Sequence, residues 1–262
     1  MDKTLRTAAT GLASQQRYVE IIANNISNVN TTSYKKVRPE FQDLLYETLH
    51  PAGNTQKLAG PPLNEVQIGS GTELAATTKM FKQGDIKETG NKLDLAINGD
   101  GFFVVSKADN SFGYTRDGAF QVDRDGNIVT SQGFKLEPGL TVPSDAIDVS
   151  ISRDGIVRAV LDGGTTEQVL GQIQLARFIN PAGLRSMGQN MYQETPASGP
   201  MVMEQAGVNN TGELVQNNLE QSNVDIVEEM VNMIMAQRAY ELNSKSVQTA
   251  DSIIMTAVNL KR

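Results

Sequence analysis

The chain contains no cysteine and no tryptophan, and its one histidine is His50. Without cysteine there are no disulfides and no thiolate metal sites. With one histidine and no cysteine, a zinc centre built on several histidines or thiolates cannot be assembled, and His50 is expected in an exposed loop role. Aromatic residues make up 5% of the chain, too few for broad platforms that stack bases or sugars. Positive charge is in deficit, with 23 Lys and Arg against 30 Asp and Glu and a net charge of -7. That balance argues against nucleic acid and against anionic membrane as partners. No apolar run approaches the roughly 20 residues of a membrane span, so no membrane insertion is expected. The start, Met1-Asp2-Lys3-Thr4, leads into mixed polar sequence and lacks the apolar stretch of about 7–15 residues that marks a secretory signal. These signals alone place the chain in the cytoplasm, unless export proceeds without a cleaved signal.

The two ends carry the clearest pattern. Leu5, Leu12, Val19 and Ile26 are each seven residues apart, and Ala8, Gln15, Ile22 and Val29 form a second line three residues on. Together they predict a helix with a heptad seam. Asn28, Asn30, Thr31, Thr32 and Ser33 supply stop and turn chemistry after it. At the other end Ile226, Met233, Tyr240, Val247 and Ile254 repeat the spacing, with Met230 and Val258 on a companion line and Val227, Val231 and Ile234 widening the stripe. Ser222 or Asn223 is the expected N-cap. Asp225, Glu228 and Glu229 near the start and Lys261-Arg262 near the end suit the helix dipole.

The middle of the chain shortens to strand-like runs. Leu93-Leu95-Ile97 and Ile147-Val149-Ile151 alternate, and Phe102 to Val105 is continuously apolar. Five Asp-Gly pairs, beginning at Asp100, Asp117, Asp125, Asp154 and Asp162, are read as hairpin turns. The fold class expected is α+β: long terminal helices pairing in a coiled-coil-like domain, with an antiparallel, hairpin-rich β-domain inserted between them. The boundaries expected are an N-terminal assembly helix over 1–33, an extended or loop connecting region over 34–70, the β-domain over 71–205, a return linker over 206–222 and a C-terminal assembly helix over 223–262.

The tempting sites have plainer readings. Asp123-Arg124-Asp125-Gly126-Asn127 places its glycine wrongly for a calcium loop and reads as a hairpin turn. Gly69-Ser70-Gly71 and Gly99-Asp100-Gly101 lack a third glycine in phosphate-loop register and read as turns. Met230, Met233 and Met235 read as packing rather than a ligand surface. No catalytic, cofactor-binding or metal residue is assigned. A hydrolase built on a pair of carboxylates is the enzymatic alternative, and it would show a perturbed carboxylate in a pocket. Periodicity alone favours an internal helical hairpin, as in a soluble binding module, over an assembly device.

Three stretches shift that balance. Ala23-Asn24-Asn25-Ile26-Ser27-Asn28-Val29-Asn30-Thr31 with Ser33-Tyr34-Lys35 resembles the N-terminal signature of bacterial flagellar rod and hook proteins. Ser222-Asn223-Val224-Asp225, Glu228-Glu229-Met230 and the run from Gln237 to Lys245 resemble their C-terminal signature. Ile97-Asn98-Gly99-Asp100-Gly101-Phe102-Phe103 and Tyr114-Thr115-Arg116-Asp117-Gly118-Ala119-Phe120 are similar to their β-core. Length, with Phe41 to Thr48 and Gln67 to Gly71, sets the chain beside the distal rod branch, with the other similar-sized rod subunit and hook-like axial proteins as alternatives. The resemblance implies copies stacked helically into a hollow shaft, exported without a cleaved signal. Implied partners are further copies, proximal rod proteins, the hook protein, ring proteins of the peptidoglycan and outer membrane, and the flagellar export apparatus. The residues expected to carry assembly are Leu5, Leu12, Val19, Ile22, Asn24, Asn25, Ile26, Asn28 and Val29 at one end. At the other they are Ile226, Met230, Met233, Ile234, Arg238, Tyr240, Val247, Ile254 and Val258. The stretch from Tyr46 to about Gly69 is expected to bridge neighbours and stiffen the shaft.

Overall fold

The computed structural model describes residues 2–50, 65–107, 109, 111–161 and 167–259. The Pro/Gly stretch from Pro51 to Pro62, the Asp162-Gly163 pair, Lys261-Arg262 and the side chain of His50 lie outside the described residues. The chain forms two compact units, 1–27 with 37–78 and 225–262, and 28–36 with 79–224. The architecture is α+β, as the sequence predicts, but the division differs from the expected one.

The first unit holds α1 (Asp2–Ser27), β1 (Val37–Asp43), β2 (Tyr46–His50), β3 (Val66–Gly69), β4 (Thr72–Lys79) and α2 (Ile226–Asn259). Within 34–70, expected as an extended or loop connection, three strands form among the described residues, and they belong with the terminal helices. β1 pairs with β4, and β2 pairs with β3 as an antiparallel ribbon. The ribbon is anchored to α1 by the ion pair of Lys3 with Glu47. Gly71 carries φ 115, and a Cβ there would overlap Thr10 Oγ1 and stand 3.5 Å from the Thr7 Cα. Gly71→Ala is therefore expected to destabilise this unit by about 1–3 kcal/mol, through the left-handed backbone and the clash together. Urea denaturation followed by helical circular dichroism measures it.

The N-cap of α2 is Asp225, not Ser222 or Asn223. Its Oδ1 accepts the N–H groups of Val227 at 2.8 Å and Glu228 at 3.2 Å. A carboxylate two residues before the first free amides serves the cap and the helix dipole together. Asn223 is engaged elsewhere, as described below.

The second unit holds β5 (Ile86–Glu88), β6 (Leu95–Asn98), β7 (Phe102–Ser106), β8 (Phe112–Thr115), β9 (Phe120–Val122), β10 (Ile128–Thr130), β11 (Lys135–Leu136), β12 (Ala146–Ile151), β13 (Ile156–Leu161) and β14 (Glu167–Gln172). It continues with β15 (Gln174–Arg177), β16 (Arg185–Gly188), β17 (Met191–Gln193), β18 (Val202–Gln205), β19 (Glu213–Gln216) and β20 (Asn218–Glu220). Among the described residues the largest sheet has nine strands, running β16-β17-β8-β7-β11-β10-β9, with β15 bridging β7 and β18. β12-β13-β14 form a meander. The segment 206–222, expected as a return linker, instead carries β19 and β20, which pair with β6 and β5.

The apolar run in β7 reflects burial on both faces. Phe103 enters a core with Leu95, Ile97, Phe120, Leu136 and Leu175, and Phe102 and Val104 point to a second core with Tyr114, Phe178 and Tyr192. A strand that alternates sides and is covered on both must be apolar throughout. The second core is aromatic, with edge-to-face contacts such as Tyr114 on Phe178 at 4.8 Å between ring centres.

Turn chemistry departs from expectation. Asp125-Gly126 joins β9 to β10 and Asp154-Gly155 joins β12 to β13, each with only the glycine at positive φ, 81 and 84 degrees. These are three-residue loops closed by a left-handed glycine, not type I′ turns. Asp100-Gly101 and Asp117-Gly118 join strands that do not pair with each other. The type I′ geometry falls on Gln189-Asn190 between β16 and β17, with φ 56 and 58.

Candidate assembly surface

The two helices meet antiparallel in one register. Asn25 Nδ2 donates to Glu229 Oε2 at 3.1 Å. Fourteen residues away on each helix, Gly11 lies against the Asn243 side chain, and seven further on Thr4 and Ala250 line one groove. The buried line on α2 is Glu229, Ala236 and Ala250, with Asn243 half-buried between them. On α1 it is Ala8, Ile22 and Asn25, while Ser14, also buried, donates to the Thr72 carbonyl of β4 at 3.2 Å. The seam is thus built mainly of small and polar residues, which let the helix axes approach closely. Asn25 also grips the backbone of β1, accepting the Val37 N–H at 3.0 Å and donating to the Val37 carbonyl at 2.9 Å.

The predicted assembly residues divide accordingly. Ile22 and Asn25 are buried within the chain. Leu5, Leu12, Val19, Ile26, Asn28, Val29, Met233, Val247 and Ile254 are half-buried. Asn24, Ile226, Met230, Ile234, Arg238, Tyr240 and Val258 are exposed. With Val227, Val231, Met235, Leu242, Ile253 and Met255, also exposed, the apolar ones among them on α2 leave large apolar side chains on sides of that helix that α1 does not cover. Ile234 is 57% exposed, and Val227 71%. Exposed apolar residues interleaved with charged ones such as Glu228, Arg238, Glu241 and Lys245 lie on several sides of α2, and one partner helix cannot cover them all. Two grooves run along the pair. One of about 360 Å³ is lined by Gln16, Val19, Gln237, Tyr240 and Glu241. The other, of about 490 Å³, is lined by Thr4, Leu242, Lys245, Ser246, Thr249, Ala250 and Ile253.

The second unit has a different centre, an ion cluster closed to solvent. Glu220 and Lys35 have no side-chain exposure, and Arg116 has 4%. Lys35 Nζ donates to Glu220 Oε1 at 2.6 Å and to the Lys82 carbonyl at 2.9 Å. Gly84 N–H also donates to Oε1, at 2.9 Å. Arg116 Nε donates to Oε2 at 2.7 Å, and its other nitrogens donate to the carbonyls of Ile97, Gly99 and Gly101. Burial pushes the Glu220 carboxyl up, but the Arg116 and Lys35 charges and the Lys35 and Gly84 hydrogen bonds outweigh it and hold the group below its ordinary value. Burial also pulls Lys35 down, against the attraction of Glu220. A perturbed carboxylate in a pocket would suit a hydrolase, but both oxygens of Glu220 are occupied and its side chain has no exposure. The cluster is a structural clamp.

Asn223 completes it. Its Oδ1 accepts the Lys36 N–H at 2.7 Å, and its Nδ2 donates to the carbonyls of Met80 and Lys82. One side chain thereby ties together the three segments near 36, 80 and 223. Sequence reading passed over Glu220 altogether and assigned no role to Lys35 or Arg116. Locally Glu220 looks like Glu213, a surface residue, and only the partners brought from 185 and 104 residues away set it apart.

Comparison with known proteins joins these centres. A family model for flagella basal body rod proteins matches residues 5–35, one for the D1 domain of flagellar hook protein FlgE/F/G matches 96–159, and one for the C-terminal part of flagellar basal body rod FlgEFG proteins matches 215–260. The flagellar basal-body rod protein FlgG of Borreliella burgdorferi is 47% identical over 266 residues, covering 100% of both chains. The chain belongs to the flagellar basal-body rod protein family. The FlgG of Caulobacter vibrioides is 43% identical over 99% of each chain, and that of Bacillus subtilis 37% identical over 100% of each. The flagellar hook protein FlgE of Salmonella typhimurium is also 37% identical, but over 71% of this chain and 44% of the hook protein. Full-length agreement places this rod protein with the distal rod subunits, structural components of the flagellum, rather than with the hook. Each member of the buried cluster comes from a different matched segment: Lys35 from the first, Arg116 from the second and Glu220 from the third.

Proposed function

We propose that this chain polymerises helically into the hollow distal rod, a drive shaft that crosses the periplasm and transmits torque towards the hook. The observation that carries the reading is α2, whose seam with α1 uses small residues and whose large apolar residues stay exposed. Burying them takes several neighbours, as in the wall of a tube, not a single coiled-coil partner. The role is structural rather than catalytic. Further partners are the proximal rod proteins, the hook protein, the peptidoglycan-ring and outer-membrane-ring proteins and the export apparatus that delivers the chain without a cleaved signal. The β2–β3 ribbon exposes Tyr46, Leu49, Val66 and Ile68, and Leu45 just before it is exposed as well. That supports a bridging role for the stretch from Tyr46 to Gly69, and rods of unchanged length and straightness after its deletion would refute that role.

The assembly reading is tested with purified full-length protein over a wide concentration range, by sedimentation velocity and negative-stain electron microscopy. Dilute protein is expected to be monomeric, and concentrated protein to form straight rods or ordered tubes. A chain that stays monomeric at every concentration would overturn the reading.

A further inference from the structure

The chain contains one Asn-Gly pair, Asn98-Gly99. Such a pair is chemically weak because glycine leaves the following amide unhindered. The Gly99 nitrogen can attack the Asn98 side-chain carbon, forming an N–Cγ bond. The C–N bond to the side-chain amide then breaks, and ammonia leaves with the proton from Gly99. Water opens the resulting succinimide at either carbonyl, giving aspartate or an isoaspartate with one extra atom in the backbone.

Asn98 is exposed at the end of β6, so water and hydroxide reach it. The reaction needs the Gly99 amide to lose its proton and to turn onto the Asn98 side chain. In the structure both reacting groups are held by one residue. Gly99 N–H donates to Gln83 Oε1 at 3.1 Å, and Gln83 Nε2 donates to Asn98 Oδ1 at 3.2 Å. The backbone is fixed on both sides as well. Asn98 is paired with Glu213, and Arg116 holds the carbonyls of Ile97 and Gly99. Gly99 itself has φ 118 and lies so close to Gly212 that a Cβ would stand 2.8 Å from the Gly212 Cα. This loop has no room to swing the nitrogen round.

We propose that Asn98-Gly99 is a latent spontaneous deamidation site that the Gln83 side-chain amide holds shut. Simple deamidation would be mild, because an aspartate at 98 still accepts from Gln83 Nε2. The isoaspartate would not be. The added backbone atom would break the β6–β19 register and displace two of the three carbonyls that Arg116 binds, those of Ile97 and Gly99, so damage at one exposed residue would reach the buried clamp.

The test follows Asn98 by peptide mapping and mass spectrometry, which detects the exchange of ammonia for water. Full-length protein and its Gln83→Ala variant are incubated in mildly alkaline buffer, with wild-type chain in denaturing urea as the unguarded reference. Wild-type folded protein is expected to deamidate at least about tenfold more slowly than the urea reference. Gln83→Ala, with unchanged circular dichroism, is expected to recover roughly fivefold or more of that difference, the effect of losing one or two hydrogen bonds. Equal rates in the folded variant and wild type would overturn the proposal. So would a folded wild-type rate equal to that in urea. Hydrogen exchange on unmodified protein is a second arm that needs no variant. Exchange and cyclisation both require the Gly99 amide to release its proton, so this amide must be protected, and fast exchange there refutes the guard.

Discussion

Glu220→Ala is expected to cost about 3–5 kcal/mol and to unfold the β-unit well below the wild-type melting temperature, because it leaves two cations buried without their anion. For a domain of this size that corresponds to a drop on the order of 10 °C. Thermal denaturation followed by circular dichroism measures it. Removing the exposed pair of Lys92 and Asp148 is the control and should leave the melting temperature unchanged. The same cluster makes the unit sensitive to acid. The folded carboxyl of Glu220 lies below its unfolded value, so the stability it adds is complete above the unfolded value. That stability is lost as pH falls through the folded one. Lys35 is also depressed in the folded state, so the unfolded chain holds its proton to higher pH and the residue brings no alkaline loss. A Glu220→Ala protein that melts with wild type would mean that the cluster merely fills space.

Ile234→Asp is expected to abolish assembly and leave the monomer intact. Ile234 is 57% exposed, so in the single chain the aspartate stays in water and costs only helix propensity, about 0.5 kcal/mol. Between packed copies it would forfeit about 2 kcal/mol of apolar burial and add the cost of a desolvated charge. The critical concentration for rod formation should rise at least about 100-fold. Ala236→Leu is the complement. Ala236 is 1% exposed in the α1–α2 seam, and a larger side chain should force the helices apart and destabilise the monomer itself, by about 1–3 kcal/mol. Sedimentation velocity and thermal melts read the two effects separately. If Ile234→Asp forms rods at the wild-type concentration, that face of α2 is not the assembly surface.

The two variants also mark what heptad reading captured. It found both helices, and it found that α2 carries more apolar residues than one partner needs. It does not find the line that faces α1: the apolar companion line starts at Met230, whereas Glu229, Ala236, Asn243 and Ala250 are the buried or half-buried line of α2. Scoring by hydrophobicity prefers methionine to alanine, but a close antiparallel pair selects for small volume. Likewise the terminal motif was read for assembly, yet Asn25 spends its hydrogen bonds inside the chain on Val37 and Glu229.

The strands within 34–70 and 206–222 were obscured for another reason. β1 is polar in places, β2 and β3 are only five and four residues long, and β19 and β20 follow the Asn-rich Asn209-Asn210 turn. Their pairing partners are remote, as with β19 on β6 and β20 on β5. Pairing energy of that kind is a property of contacts between distant segments and leaves no local period to read.

By itself, then, the sequence determined the α+β class, the terminal helices and the family, because each rests on local periodicity or on contiguous motifs. The tertiary structure alone decided which helix face is spent within the chain and which is left for others. It alone brought Lys35, Arg116 and Glu220 to one point. Charges this far apart in the chain look like ordinary solvated residues until folding removes the water and leaves them only one another and the backbone.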